Sequence, residues 1–275
     1  MRIVVLCSNV YSETGCAMAV RMAELGYVPA GALALPTLDR GTVVRKLGQW
    51  GARDVIRYAS AKLIPHRGDG RAQVSNPYLQ PLLIHGEGVF RSLREVAVFY
   101  GFPVAVCNDQ NAPNSIARLK EWSPDLIIFT GGNILRKQLL EVPRLGVLNV
   151  HLGLLPEVRG MSSPEWSLLN HVPVGVTIHY IDAGIDTGPV LQRCEFPDAA
   201  RCELLSDLRN RLIAFGVEQV AEVVAGLDRG TISASPQSDL DEDHQFFVMH
   251  EWLQARAAAR LTKRRSVAVA ESVNG

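Results

Sequence analysis

Short apolar runs return along the chain, each separated from the next by enough residues for a helix and two loops. Ile3-Val4-Val5-Leu6 opens the chain, Leu126-Ile127-Ile128-Phe129 follows Asp125, and Gly146-Val147-Leu148-Asn149-Val150-His151 comes soon after. A strand that is apolar on both sides is covered on both sides, the condition of a parallel sheet flanked by helices. Helical periodicity between the runs predicts helices over about 16–25, 89–100 and 115–122, and further strands near 28–35 and 103–106. Alternation at 174–180 and 190–196 predicts two antiparallel strands late in the order. The expected fold is therefore α/β with a mostly parallel sheet.

The C-terminal third reads as helical. Apolar residues from Leu204 to Leu227 recur at three- and four-residue steps, as on a long helix lying on a sheet. Phe246, Phe247, Met249, Trp252 and Leu253 suggest a last helix whose aromatic residues would suit a homodimer contact. Residues 264–275 are expected to be a disordered tail. The organisation predicted is a catalytic domain over 1–200, a helical region over 201–263 and the tail.

Charge narrows the function. Lys plus Arg and Asp plus Glu are 28 each, which argues against a general nucleic-acid binder. The balance is locally uneven, since 40–71 carries eight basic residues against Asp54 and Asp69 and reads as a basic helical insertion. No apolar run is long enough to cross a membrane. Five scattered cysteines without a C-x-x-C pair suggest neither a zinc nor a redox site and point to the reducing cytoplasm. The loop from Ser8 to Gly15 is not G-x-G-x-x-G, so dinucleotide chemistry is not indicated. Asn9, just after the first strand, remains a candidate ligand contact.

The chemistry concentrates in two places. Side chains alternate along a strand, so Asn149 and His151 share one face at a strand end, where open α/β sheets place their ligands. Asp186 lies on a loop flanked by Gly184 and Gly188. An amide, an imidazole and a carboxylate suit the steadying of an oxyanion and the movement of one proton. Asp182 and Asp186 also have an ordinary reading as turn residues beside glycine. His179 reads as a structural residue of an alternating strand.

Asn149-Val150-His151, Leu154-Leu155-Pro156, Arg159-Gly160, Gly175-Val176-Thr177 and Asp186-Thr187-Gly188, in this order, resemble the 10-formyltetrahydrofolate-dependent formyltransferases. That family includes enzymes acting on methionyl-tRNA, on glycinamide ribonucleotide and on amino sugars. The resemblance implies a Rossmann-like twisted sheet without the dinucleotide fingerprint. It implies Asn149, His151 and Asp186 as catalytic residues, and a folate slot at Gly132, Asn133, Ile134 and Leu135 with Ile181, Asp182, Gly184 and Ile185. Asn9, Arg159, Gly160 and Met161 would meet the acceptor. The donor would be 10-formyltetrahydrofolate, with no metal.

The basic insertion lies outside the pattern. The first strand is not followed by the Gly-Ser-Asn of the glycinamide ribonucleotide enzymes, and the chain looks too short for the extra barrel of the methionyl-tRNA enzymes. The expected activity is formyl transfer to the primary amine of a small molecule, either a nucleotide-linked amino sugar or a biosynthetic intermediate. A formyltetrahydrofolate hydrolase and a non-catalytic ligand-binding module are the alternatives.

Overall fold

The computed structural model describes residues 1–37, 74–238 and 244–274. The basic stretch 40–71 and the acidic run 239–243 lie outside the described residues. The fold is α/β with a mostly parallel seven-stranded sheet. The chain divides into two compact units, one formed by 2–124 and 130–135, the other by Met1, 125–129 and 136–275.

In the first unit β1 (Ile3–Cys7) is buried along its whole length, as its apolar run requires. Helix α1 (Glu13–Glu24) follows, and its first turn is closed by Ser12 Oγ, which accepts from Gly15 N at 3.1 Å. β2 (Gly31–Ala34) lies parallel to β1, with Val4 opposite Gly31. A side chain at Gly31 would place Cβ 2.5 Å from the Trp122 ring, so the strand and the indole pack at backbone distance only because this residue is glycine. Helix α2 (Leu93–Tyr100) starts at Ser92, whose Oγ accepts from Glu95 N, and stops at Gly101 with φ +79°. β3 (Val104–Val106) adds parallel to β2, and helix α3 (Pro113–Trp122) begins with proline at its first position.

In the second unit β4 (Leu126–Phe129) runs parallel to β5 (Gly146–His151), with Phe129 opposite Asn149. Helix α4 (Ser163–Leu169) follows a Pro/Gly loop. β6 (Gly175–Tyr180) is antiparallel to β5, and β7 (Val190–Glu195) antiparallel to β6. Helix α5 (Leu205–Asp228) buries Leu208 and Leu212 in one core with Leu168, Val174 and Val176.

Two sequence expectations change beyond α5. Phe246 and Phe247 precede the last helix instead of opening it, because Gln245–Phe246 pairs in parallel with Arg159–Gly160. Tertiary contacts decide this: the Phe246 ring stacks on Trp166 at 4.8 Å, and Trp166 Nε1 donates to Phe247 O at 2.9 Å. Helix α6 (Glu251–Asn274) then runs through most of the stretch expected to be a disordered tail. Its early turns are held by burial of Ala257 and Leu261 in the core beneath α5. Among the described residues no helix is long and apolar enough to cross a membrane.

Candidate active site

β5 and β6 bring four polar side chains to one face. Antiparallel register sets Asn149 opposite His179 and His151 opposite Thr177, and period-two alternation aims all four the same way. Asn149 Nδ2 lies 3.1 Å from His179 Nε2, and His179 Nδ1 lies 2.8 Å from Tyr180 O. A carbonyl can only accept, so Nδ1 of His179 carries a hydrogen, and Nε2 stands between the Asn149 side-chain amide and Asp186 Oδ1. The Asn149 amide has two hydrogens, so at least one is left for a ligand. Thr177, fully buried, donates to Gly153 O at 2.7 Å and accepts from Leu155 N at 3.1 Å. It thereby ties the loop after His151 to β6.

Asp186 folds back over this face. Its Oδ2 lies 3.3 Å from His151 Nδ1 and its Oδ1 3.6 Å from His179 Nε2. Gly160 N donates to Oδ2 at 2.8 Å. Burial alone would raise the Asp186 carboxyl, but the His179 and His151 rings and the Gly160 N–H outweigh it and hold the group down at about 2. The residue has φ +54°, the left-handed region that aspartate tolerates better than most side chains.

His151 is 5% exposed, and both of its ring nitrogens face acceptors: Nδ1 faces Asp186 and Nε2 lies 2.6 Å from Val158 O. Only the imidazolium satisfies both. Burial nevertheless dominates and lowers the ring from its ordinary value, partly countered by Asp186 and Val158 O. Asp186 and Val158 O thus fix the ring in place, while the loss of water disfavours its charged form.

The other candidate residues fall as follows. Arg159 is buried at 3% exposure in the short ladder with Gln245–Phe246, whereas Met161 beside it is 57% exposed. Asp182 Oδ1 accepts from Gly184 N at 3.0 Å and from Thr187 Oγ1 at 2.6 Å, so it closes the turn that carries Asp186. Ile181 extends β6 by donating its N–H to Val147 O, and Ile185 is 53% exposed. In the first unit Asn133 and Gln110 hold each other, with Gln110 N donating to Asn133 Oδ1 and Asn133 N to Gln110 Oε1. That lock leaves Ile134 88% exposed and Leu135 buried. Gly132 has φ +152°, and a Cβ there would lie 2.0 Å from Gln110 Oε1. Asn9 turns inward on its own loop, with its Oδ1 accepting from Tyr11 N at 2.8 Å.

His179 and Gln237 are the residues that sequence reasoning missed. For His179 the signal was available: pairing 174–180 with the Asn149 strand places a histidine opposite Asn149. Gln237 Nε2 donates to Asp186 O at 3.0 Å and to Gly188 O at 2.7 Å. No local pattern in the sequence marks it.

A family model described as formyl transferase matches residues 94–224, the segment that carries Asn149, His151, His179 and Asp186. Over this segment the chain is similar to the formyl transferase family. The chain is 35% identical over 149 residues to a methionyl-tRNA formyltransferase of Pelobacter propionicus, covering 54% of this chain and 46% of that protein. With the enzyme of that name from Alkaliphilus metalliredigens it shares 31% over 182 residues, covering 65% and 52%. The chain therefore spans about half the length of the curated relatives it matches.

Among solved structures, glycinamide ribonucleotide transformylase 1 of Symbiobacterium toebii has TM-score 0.55 at 19% identity, covering 86% of this chain and 94% of that one. An N-formyltransferase of Helicobacter canadensis, in complex with folinic acid and dTDP-3-aminofucose, has TM-score 0.56 at 15% identity, covering 95% and 80%. At these identities the likeness shows a shared fold.

Proposed function

We propose that this chain transfers a formyl group from 10-formyltetrahydrofolate to the primary amine of a small molecule, a nucleotide-linked amino sugar or an amine-bearing intermediate. The observation that carries the reading is the Asp186 carboxylate held against both His151 and His179, on the face that also presents the Asn149 amide. Support for formyl transfer comes from the family match over the same residues and from the relatives' names, which themselves carry methionyl-tRNA as the acceptor. The Helicobacter canadensis protein, whose structure holds a folate and a nucleotide-linked amino sugar, motivates the acceptor class.

The residues present fit such a donor. The loop 130–135 is braced by the Asn133–Gln110 pair and displays Ile134, while the Asp186 loop displays Ile185. An exposed isoleucine on a rigid loop suits the flat face of a heteroaromatic ring, with backbone groups beside it for the ring edge. By resemblance, Gly132, Asn133, Ile134 and Leu135 of the first unit and, separately, Ile181, Asp182, Gly184 and Ile185 of the second are the residues proposed for the folate. The donor supplies an electrophilic formyl carbon.

Asn149 offers an amide hydrogen to the negative charge that develops on the formyl oxygen. His151, held in place by a carboxylate on one nitrogen and a carbonyl on the other, would help steady the same charge. Asp186 would orient His151 or a bound water that moves the proton off the attacking amine and on to N10 of the donor, which leaves as tetrahydrofolate as the bond from N10 to the formyl carbon breaks. Met161 and Gly160 are proposed to meet the acceptor, as is Asn9 in the first unit, whereas Arg159, buried at 3% exposure, is not placed to touch it. The protein would work in the cytoplasm, in keeping with its scattered free cysteines.

The test is a panel of amines incubated with protein and 10-formyltetrahydrofolate and read by mass for gain of one carbonyl group. Formylation of one amino sugar nucleotide or other small amine is the expected result. Formylation of methionyl-tRNA alone would overturn the acceptor class, and donor breakdown independent of any amine would indicate a hydrolase.

A further inference from the structure

The segment after helix α5 does more than cover the core. It returns along the outside of β7, where Ser235 and Val190 exchange both backbone hydrogen bonds at 2.8 Å. That bridge fixes the strand direction two residues before Gln237. The side-chain amide of Gln237 then spends both of its hydrogens on the carbonyls of Asp186 and Gly188, at 3.0 and 2.7 Å. Those carbonyls bracket the point where the chain takes φ +54° at Asp186 and where Gly188 packs so tightly that a Cβ would lie 1.9 Å from Tyr180 O. A non-glycine residue in the left-handed region costs of order 1–3 kcal/mol and persists only where its surroundings over-determine it.

From this we infer that Gln237 is a positioning residue for Asp186. It holds the backbone of the left-handed turn, so that the carboxylate stays between His151, His179 and the Gly160 N–H. This rests on the formyl-transfer reading for its kinetic consequence, but not for its structural one. Gln237 lies outside the segment 94–224 matched by the family model. The catalytic geometry would thus depend on a part of the chain that the family pattern does not include.

The same downstream chain holds the other side of the carboxylate. Met161 N donates to Phe246 O at 2.9 Å, and Met249 N to Ser162 Oγ at 3.1 Å. These bonds fix the loop whose Gly160 N–H binds Asp186 Oδ2 at 2.8 Å. Asp186 is therefore held from its main chain by Gln237 and from its side chain by a loop that 245–249 secures.

Gln237→Met keeps the length and removes both donors, and Gln237→Glu keeps the shape and sets oxygen against two carbonyls. Both variants should leave the global fold intact, checked by exchange protection of the Ile178 amide at the centre of β6. The Gly160 amide reports the position of the carboxylate without any need for turnover. Its hydrogen exchange should rise about tenfold or more in both variants while Ile178 is unchanged. In turnover, kcat should fall about 10–100-fold with the folate KM within about twofold, since small displacements of a catalytic group cost on this scale.

On an Asp186→Asn background the Gln237→Met change should add almost nothing further, because its whole effect passes through that carboxylate. Losses that multiply in the double variant, or unchanged Gly160 exchange in both single variants, would overturn the proposal. If the wild-type protein formylates no amine, the functional reading fails while the Gly160 measurement still decides whether Gln237 holds Asp186.

Discussion

Replacing Asp186 by Asn separates charge from shape at the centre of the site. Asparagine tolerates φ +54° as aspartate does, so the turn keeps its conformation, and an amide oxygen can still accept from Gly160 N. What is lost is a negative charge facing two imidazoles. In the folded protein the carboxyl is held down from 3.8 to about 2, and at ~1.4 kcal/mol per pH unit that amounts to about 2 kcal/mol of stability. The direction follows from linkage. A carboxyl depressed by folding stabilises the protein above its unfolded value near 4, and this contribution fades as pH falls through about 2. Urea unfolding of wild type and Asp186→Asn should therefore differ by about 2 kcal/mol at neutral pH, with the gap closing between about pH 4 and pH 2. Turnover should fall by about 10²-fold or more, the loss expected when a proton-moving group is removed. A stability gap that stays constant across that pH window, or no gap at neutral pH, would refute the assignment of Asp186 as an ionised group held by these partners.

Asn149→Ala should reduce kcat by about 10²–10³-fold with little change in folate affinity, read by steady-state kinetics. His179→Leu should cost turnover at least about tenfold, and His179→Gln, which keeps an acceptor for Asn149, should recover part of it; full activity in the Leu variant would leave His179 purely structural. Asp182→Asn retains the oxygen that receives Gly184 N and Thr187 Oγ1 and should be nearly silent, whereas Asp182→Ala should loosen the turn and lower activity by disturbing Asp186. Burial pushes the Cys7 thiol up to about 12 and raises Cys16 as well, so iodoacetamide should modify neither until the protein unfolds, as mass spectrometry of pulse-labelled samples would show.

Much of the fold could be read from the chain because its strands advertise their burial. Ile3–Cys7 and Leu126–Phe129 are apolar on both sides for the reason that both sides are covered, and their limits fall within a residue or two of the predicted ones. The helix expected over 203–227 was legible from periodicity alone and is found at Leu205–Asp228. The C-terminal aromatics were misread because a stacked Trp166–Phe246 pair and a two-residue ladder outweigh local helix periodicity. Asn149, His151 and Asp186 were visible as chemistry, and the structure brings them together with His179. Gln237 was invisible because a glutamine in a polar stretch carries no sign of which carbonyl it will find 51 residues upstream.

The antiparallel step from β5 to β6 explains why Asp186 needs so many anchors. Reversal of the chain sets His179 directly opposite Asn149, which a parallel neighbour reached through a crossover helix would not do at this spacing. The same reversal makes β6 leave the sheet beside Val147, where Ile181 N bonds to Val147 O, at the end of β5 remote from His151. The loop 181–189 must therefore double back over the face to return a carboxylate to the two histidines. A loop bent in this way gains nothing from strand pairing along its length. Its shape comes instead from Asp182 closing the turn, Gly188 packing on Tyr180 O, the Gly160 N–H and the Gln237 amide. The polar anchors are one or two hydrogen bonds each, every bond worth about 0.5–1.5 kcal/mol, or somewhat more where the carboxylate is involved. No one of them outweighs the strain of a left-handed aspartate by much. The geometry of the site is thus set jointly, and changes well away from His151 and Asp186 should alter turnover before they alter stability.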